Sequence, residues 1–208
     1  MRILMGLIVA LLTFCNTAYA GKSGGTQLII VQDADDAEGR FWNLKAGSAS
    51  TMDNVYTTPA GDVKGVGSVI KVVKVDGQEC TLKSTTNGNS VEMIAGSNDG
   101  YYCWGPIDNG KFKPTMRLFK YGAKAGDTWD GWVQKADNAP MVTAKYVGLE
   151  EVTVPAGTYK DVVHVQAVIT DGPTMDYYFA PKTGLIKLTI LMHGAVSRVE
   201  MSAFTAGK

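Results

Sequence analysis

From about residue 66 to residue 204 the chain alternates apolar and polar residues in short runs, separated by pairs that favour tight turns. Val163, Val165, Ala167 and Ile169 interleave with His164, Gln166 and Thr170. Ile186, Leu188 and Ile190 interleave with Lys187 and Thr189, and Val199, Met201 and Ala203 with Arg198, Glu200 and Ser202. A period of two puts each apolar set on one face of a strand; a helix needs a period near 3.6. Asp76-Gly77, Asn87-Gly88, Asp99-Gly100, Asn109-Gly110 and Asp171-Gly172 each offer the positive φ that hairpin turns require. Helix signals are scarce after the first twenty residues.

The pattern predicts strands at Gln27–Val31, Val66–Val75, Glu79–Ser84, Ser90–Ala95, Gly100–Trp104, Thr128–Gln134 and Val142–Leu149. It predicts further strands at Lys160–Thr170, Asp176–Phe179, Leu185–Leu191 and Ser197–Phe204. Long strands with one apolar face must bury it by curling around a helix or closing on themselves. The expected fold is all-β: a single antiparallel, strongly curved sheet or partly open β-barrel. Lys45-Ala46-Gly47, Pro59-Ala60-Gly61, Lys64 and Asp76-Gly77 recur in order as Lys124-Ala125-Gly126, Pro155-Ala156-Gly157, Lys160 and Asp171-Gly172. Two similar halves, 21–120 and 121–208, or one turn chemistry used twice, both account for that echo.

Residues 1–20 have the layout of a secretory leader: Arg2, the apolar run Ile3 to Phe14, and the small-x-small site Ala18-Tyr19-Ala20. Cleavage after Ala20 would leave a single β domain, 21–208, in the periplasm or outside the cell. Leu12-Thr13-Phe14-Cys15 also has some likeness to a lipid-attachment site, but Phe14 is too large for the position before such a cysteine. The leader takes only Arg2 from a balance of 20 basic and 20 acidic residues, so the remainder is nearly neutral. That leaves no basic footprint for nucleic acid, and no later apolar run is long enough to span a membrane. An oxidising compartment makes a Cys80–Cys103 disulfide the expected pairing. A plain meander would nevertheless separate the two cysteines by two strands, about 10 Å, where a bridge needs Cα atoms within about 7 Å.

The succession Gly126-Asp127-Thr128-Trp129, Val154-Pro155-Ala156-Gly157-Thr158-Tyr159-Lys160, Tyr178-Phe179-Ala180-Pro181 and Gly184-Leu185-Ile186-Lys187 resembles a signature of uncharacterised exported bacterial β proteins. It covers about residues 121–200. The resemblance implies a curved β-barrel like that of periplasmic lipoprotein carriers, with a sheet folded around an apolar interior. It implies architectural roles: Gly157 and Gly184 in turns, Pro155 and Pro181 at strand ends, Trp129 and Tyr178 as large filling side chains.

No catalytic constellation stands out. His164 and His193 fall on polar sides of their runs, with no zinc or nucleophile spacing around them, and read as solvated strand residues. Asp33, Asp35, Asp36 and Glu38 lack the ligand spacing of a calcium loop. Adjacent Glu150 and Glu151 would point to opposite faces of a strand. Gly21-Lys22-Ser23 lacks the glycine and strand that a phosphate loop requires.

Aromatic residues are the remaining candidates for a binding surface. Trp42, Trp104, Trp129, Trp132, Tyr101, Tyr102, Tyr177 and Tyr178 outnumber what one inward face can take, and one ring of each adjacent Tyr pair must point outward. Trp104, Trp129, Trp132, Tyr177 and Tyr178 are the candidate ligand-binding residues, with no metal or cofactor. The expected function is non-enzymatic binding of an apolar or amphiphilic ligand, or of a cell-envelope partner. The alternatives are carbohydrate recognition by exposed Trp and Tyr, or a structural or assembly role in the envelope.

Overall fold

A computed structural model describes residues 44–76, 79–108, 111–132 and 140–208. The leader, the expected strand at Gln27–Val31, the acidic cluster from Asp33 to Glu38 and Trp42 lie outside the described residues. Within them every regular element is a strand. In chain order these are β1 (Ala49–Thr58), β2 (Gly61–Lys64), β3 (Ser68–Asp76), β4 (Glu79–Thr86), β5 (Asn89–Asn98) and β6 (Tyr101–Gly105). Then follow β7 (Ile107–Asp108), β8 (Lys111–Phe112), β9 (Met116–Lys120), β10 (Thr128–Asp130), β11 (Val142–Val154) and β12 (Gly157–Ile169). The chain ends with β13 (Thr174–Ala180), β14 (Gly184–Met192) and β15 (Ala195–Thr205). No helix in the described residues is long and apolar enough to cross a membrane.

All but the short β7–β8 hairpin belong to one antiparallel sheet of 13 strands, ordered β10-β11-β12-β13-β14-β15-β1-β3-β4-β5-β6-β9, with β2 alongside β1. The two ends of this path meet. Met116 bridges Trp132, the Arg117 backbone N–H donates to Gly131 O at 2.8 Å, and Trp129 Nε1 donates to Arg117 O at 3.3 Å. At this seam a Cβ on Gly131 would lie 2.5 Å from Val142, so the close approach depends on glycine. The expected curved sheet is thus present as a nearly closed barrel, and no helix of the described residues fills it.

Turn chemistry is where the sequence predicts it. Asn87-Gly88 and Asp99-Gly100 both have positive φ at their two residues, as a type I′ hairpin needs. Gly157, with φ of 142°, follows Pro155-Ala156 and opens the return strand of the long β11–β12 hairpin. The tip of that hairpin bends over the barrel, where the Ala156 N–H donates to Met201 O at 3.0 Å. There Met52, Val154, Val162, Ala180, Ile186 and Met201 form a small core of their own. The main core lies around Phe119, Phe179, Ile94 and Met175, all at most 1% exposed.

Two expectations need correction. Cys80 and Cys103 are not bonded to each other; both are free and buried. Cys80 pairs across to Ala95 and Ala95 to Trp104, so these three project from one face of the sheet. Cys103 neighbours Trp104 and therefore projects from the other face, as well as lying two strands away. No disulfide can span that geometry. His164 is not solvated either, and His193 sits in the β14–β15 turn with a φ of 48° rather than on a strand. His164 is 9% exposed, held between Glu150 Oε1, 2.7 Å from Nδ1, and Asp176 Oδ1, 2.8 Å from Nε2. Alternation rightly places this ring outside the barrel, but side chains of the two neighbouring strands, β11 and β13, close over it.

Burial pushes the pKa of each thiol up to about 12, with nearby Arg117 partly opposing the rise at Cys103. Little thiolate then exists in the native state. A chain cleaved after Ala20 should react negligibly with Ellman's reagent at pH 8 while folded, and release two equivalents once unfolded in guanidinium without reductant. A disulfide would give none in either state. Replacing His164 with Ala leaves two facing carboxylates without the imidazole that lies between them. Urea unfolding should register a loss of roughly 1–2 kcal/mol, less than a fully buried pair would cost because Glu150 is partly solvated. Adding Glu150→Gln should recover part of the loss.

Candidate functional site

The barrel holds a cavity of about 140 Å³, lined by side chains of β1, β3, β4, β5, β6, β9, β13, β14 and β15. Its apolar wall is built from residues that alternation turns inward, among them Val72, Leu82, Phe179, Leu188 and Ile190. Trp104 stands edge-on to Tyr177 at 6.2 Å and to Phe179 at 6.4 Å, while Tyr177 and Phe179 lie parallel. Edge-to-face contacts of this kind fix ring positions and give the wall a rigid aromatic side.

The opposite side is different in chemistry. Ser50 and Asn54 of β1, Ser68 of β3, and Ser84 and Thr86 of β4 line it. Register brings Ser50, Ile70 and Ser84 into one row across three strands. None of the described lining residues carries a charged side chain.

Asn54 is placed by a local change of partner. β1 pairs with β3 through Met52 and with β2 from Val55 onward, leaving Asn54 where the two ladders part. The chain returns from β2 to β3 through Gly65-Val66-Gly67, close over β1; a Cβ on Gly67 would lie 2.8 Å from Met52 O. Asn54 Nδ2 donates to Val66 O in this crossing, which fixes the orientation of the amide. Asn54 Oδ1 is consequently directed away from that bond. It is buried and has no hydrogen-bond partner among the described residues, and Asn54 as a whole is 8% exposed.

Trp104 Nε1 is also buried, beside the Tyr102 side chain. Burial pushes the pKa of neighbouring Tyr102 well above its ordinary value, and the Trp104 indole opposes that rise. The same cause raises Tyr177, whose hydroxyl donates to Met175 Sδ at 3.4 Å. Both phenols on the cavity are therefore neutral donors throughout the ordinary pH range.

The five aromatic residues singled out by sequence divide into three groups. Trp104 and Tyr177 come together on the cavity. Trp129 and Trp132 belong to the seam. Trp129 is 7% exposed, edge-on to Phe119, and Trp132 Nε1 donates to Pro140 O at 2.8 Å. Tyr178 is outside, stacked on His164 at a centroid distance of 4.4 Å, with burial and the Asp176 and Glu150 carboxylates pushing its pKa up to about 12. Neither Trp129 nor Tyr178 offers an open ring face. The sequence reading missed Asn54, Ser50 and Ser84. Ser50 and Asn54 lie in a run too polar to read as a strand, and Ser84 ends the predicted strand Glu79–Ser84 as a polar residue on an inward position.

No family model matches this chain, and no curated protein does. Solved structures with a similar fold include a candidate exported protein with a YmcC-like fold from Bacteroides fragilis NCTC 9343, at a TM-score of 0.52 and 14% identity, over 79% of this chain and 98% of that one. A candidate lipoprotein from Parabacteroides distasonis ATCC 8503 matches at a TM-score of 0.50 and 13% identity, over 84% of this chain and 100% of that one. At such identities the likeness concerns architecture: this chain shares the barrel fold of these two proteins.

Proposed function

We propose that this chain is an exported, non-enzymatic binding protein that takes an apolar or amphiphilic ligand into its barrel. The observation carrying this reading is the cavity, which sets an aromatic and aliphatic wall against a wall of hydroxyl and amide groups. Empty apolar space of this size is costly to keep in a core and takes up small apolar guests readily. Export is supported by the leader-like residues 1–20 and by the descriptions of the two similar structures. A binding role rather than catalysis is supported by where the ionisable groups lie. Glu150, His164 and Asp176 cluster on the outer face, away from the cavity. Carbohydrate stacking finds less support, since Trp129 is buried and Trp132 is tied to the seam.

Solvent extraction of the purified mature chain, followed by mass spectrometry, should recover an apolar or amphiphilic molecule in stoichiometric amount. Ser84→Leu projects a larger apolar side chain into the cavity and should abolish that recovery while the melting temperature holds or rises. Empty extracts, together with methyl resonances that do not move when benzene is added, would remove the proposal.

A further inference from the structure

We infer that the ligand of this cavity is an amphiphilic anion, whose tail enters the barrel and whose charged head stays at the rim beside Lys45 and Lys182. The inference rests on the binding role proposed above and names the charge of its ligand. A recess on the outside of the barrel shares Ser48, Thr183 and Phe204 with the cavity and adds Lys45 and Lys182 to its lining. The chain passes from recess to cavity in a single step at two places. Lys45 follows the cavity residue Leu44, and Lys182 precedes Thr183, which leads to the cavity residue Gly184. These two segments adjoin, since a Cβ on Gly184 would lie 3.3 Å from Leu44 Cδ2. On a third side the Gly207 N–H donates to Ser48 Oγ at 2.9 Å, which holds the C-terminal residues beside the start of β1.

The charge of this rim has one sign. Lys45 and Lys182 are the charged residues among the described lining of the recess, and both are exposed. Neither is in an ion pair among the described residues. Inside, the described lining residues carry no charge at all. A charged head drawn into that interior would lose its hydration with no counter-ion to replace it, so it stays where ammonium groups and water both reach it. An ammonium head at the same place would meet two like charges. Lysine serves carboxylate and phosphate heads alike, because its ammonium is a point charge rather than a planar fork. The cavity limits the buried tail: about 140 Å³ accepts a guest near the size of benzene. Lys182 has a φ of 59°, which asparagine adopts with less strain, so this charge can be removed without unsettling the turn.

Four probes with one tail test this on the delipidated mature chain at pH 7: hexanoate, hexyl phosphate, hexan-1-ol and hexylammonium. Titrations are followed by the methyl resonances of Leu44 and Leu188. Binding of hexanoate should weaken about threefold between about 0.05 and 0.5 M NaCl, while that of hexan-1-ol should not weaken. In the double variant Lys45→Gln, Lys182→Asn, the affinity of each anion relative to hexan-1-ol should fall about fivefold, and that of hexylammonium should rise. The anion that binds more tightly identifies the head as a carboxylate or a phosphate ester. Should the double variant fail to fold, the salt series on the unaltered chain decides alone. Binding of hexan-1-ol with neither anion bound, or with both anion ratios untouched by the substitutions, overturns this inference and leaves the apolar-cavity reading standing. Tightest binding of hexylammonium also overturns it. Failure of all four probes to bind removes the binding role itself.

Discussion

A sheet that closes on itself without a helix inside has to fill its interior from the side chains its own strands turn inward. In this barrel the supply is uneven. From β6, β9 and β13 come Tyr102, Trp104, Phe119, Tyr177 and Phe179, large enough to reach across the interior and meet edge to face. From β1 come Ser50, Met52 and Asn54, of which only Met52 is both large and apolar. Met52 is spent at the hairpin end, with Met201 and Ile186. Space therefore remains where β1 and the start of β3 face the aromatic wall, and the cavity is that local shortfall of volume.

The outer face is organised to keep that interior in register. Asp53, Glu200, Lys187, Tyr178 and His164 form one continuous row across β1, β15, β14, β13 and β12. From Glu200 onward neighbours in the row attract: Lys187 Nζ lies 3.3 Å from Glu200 Oε1 and 5.7 Å from the Tyr178 ring, which stacks on His164, while acidic Asp53 is instead held by Ser202 Oγ, which donates to its Oδ1 at 3.0 Å. Beyond His164, Glu150 and Asp176 complete the chain of contacts. A slip of one residue in any of these pairings would turn charged side chains into the apolar interior and apolar ones outward. Individually each pair contributes little in partial solvent, but collectively they penalise every wrong register. The walls of the cavity, built on β13, β14 and β1, are held by the far side of the same strands.

How much of this could be read in advance follows the same division. The C-terminal strands were legible because their inward positions are apolar and their outward positions polar; predicted and observed bounds for Leu185–Leu191 and Gly184–Met192 differ by one residue at each end. The Asn-Gly and Asp-Gly turns were legible because their chemistry is local. Strand β1 was not, because Ser50 and Asn54 face inward while Val55 does not, so its alternation carries no hydrophobic contrast. β9 is five residues long and has two buried neighbours, Leu118 and Phe119, which breaks a period of two. The disulfide expectation used compartment and count, quantities blind to which face a residue occupies. His164 was correctly put outside, but its burial depends on Glu150 and Asp176 arriving from adjacent strands, a contact between residues 14 and 12 positions away.

The element least legible in sequence is also the one that carries the candidate site, and the two facts have one cause. An inward position normally takes an apolar residue because burying an unpaired polar atom costs more than it returns. Asn54 breaks that rule, keeping one bond to Val66 O and leaving the other end of its amide unmade. A leucine in its place would satisfy both the periodicity and the core. Departures from local consistency of this kind concentrate where a chain must meet something other than itself. Here the departure and the hydroxyl wall both fall on the strands that border the unfilled volume, so the stretch of sheet with the least hydrophobic contrast is also the one that leaves the interior short of apolar side chains.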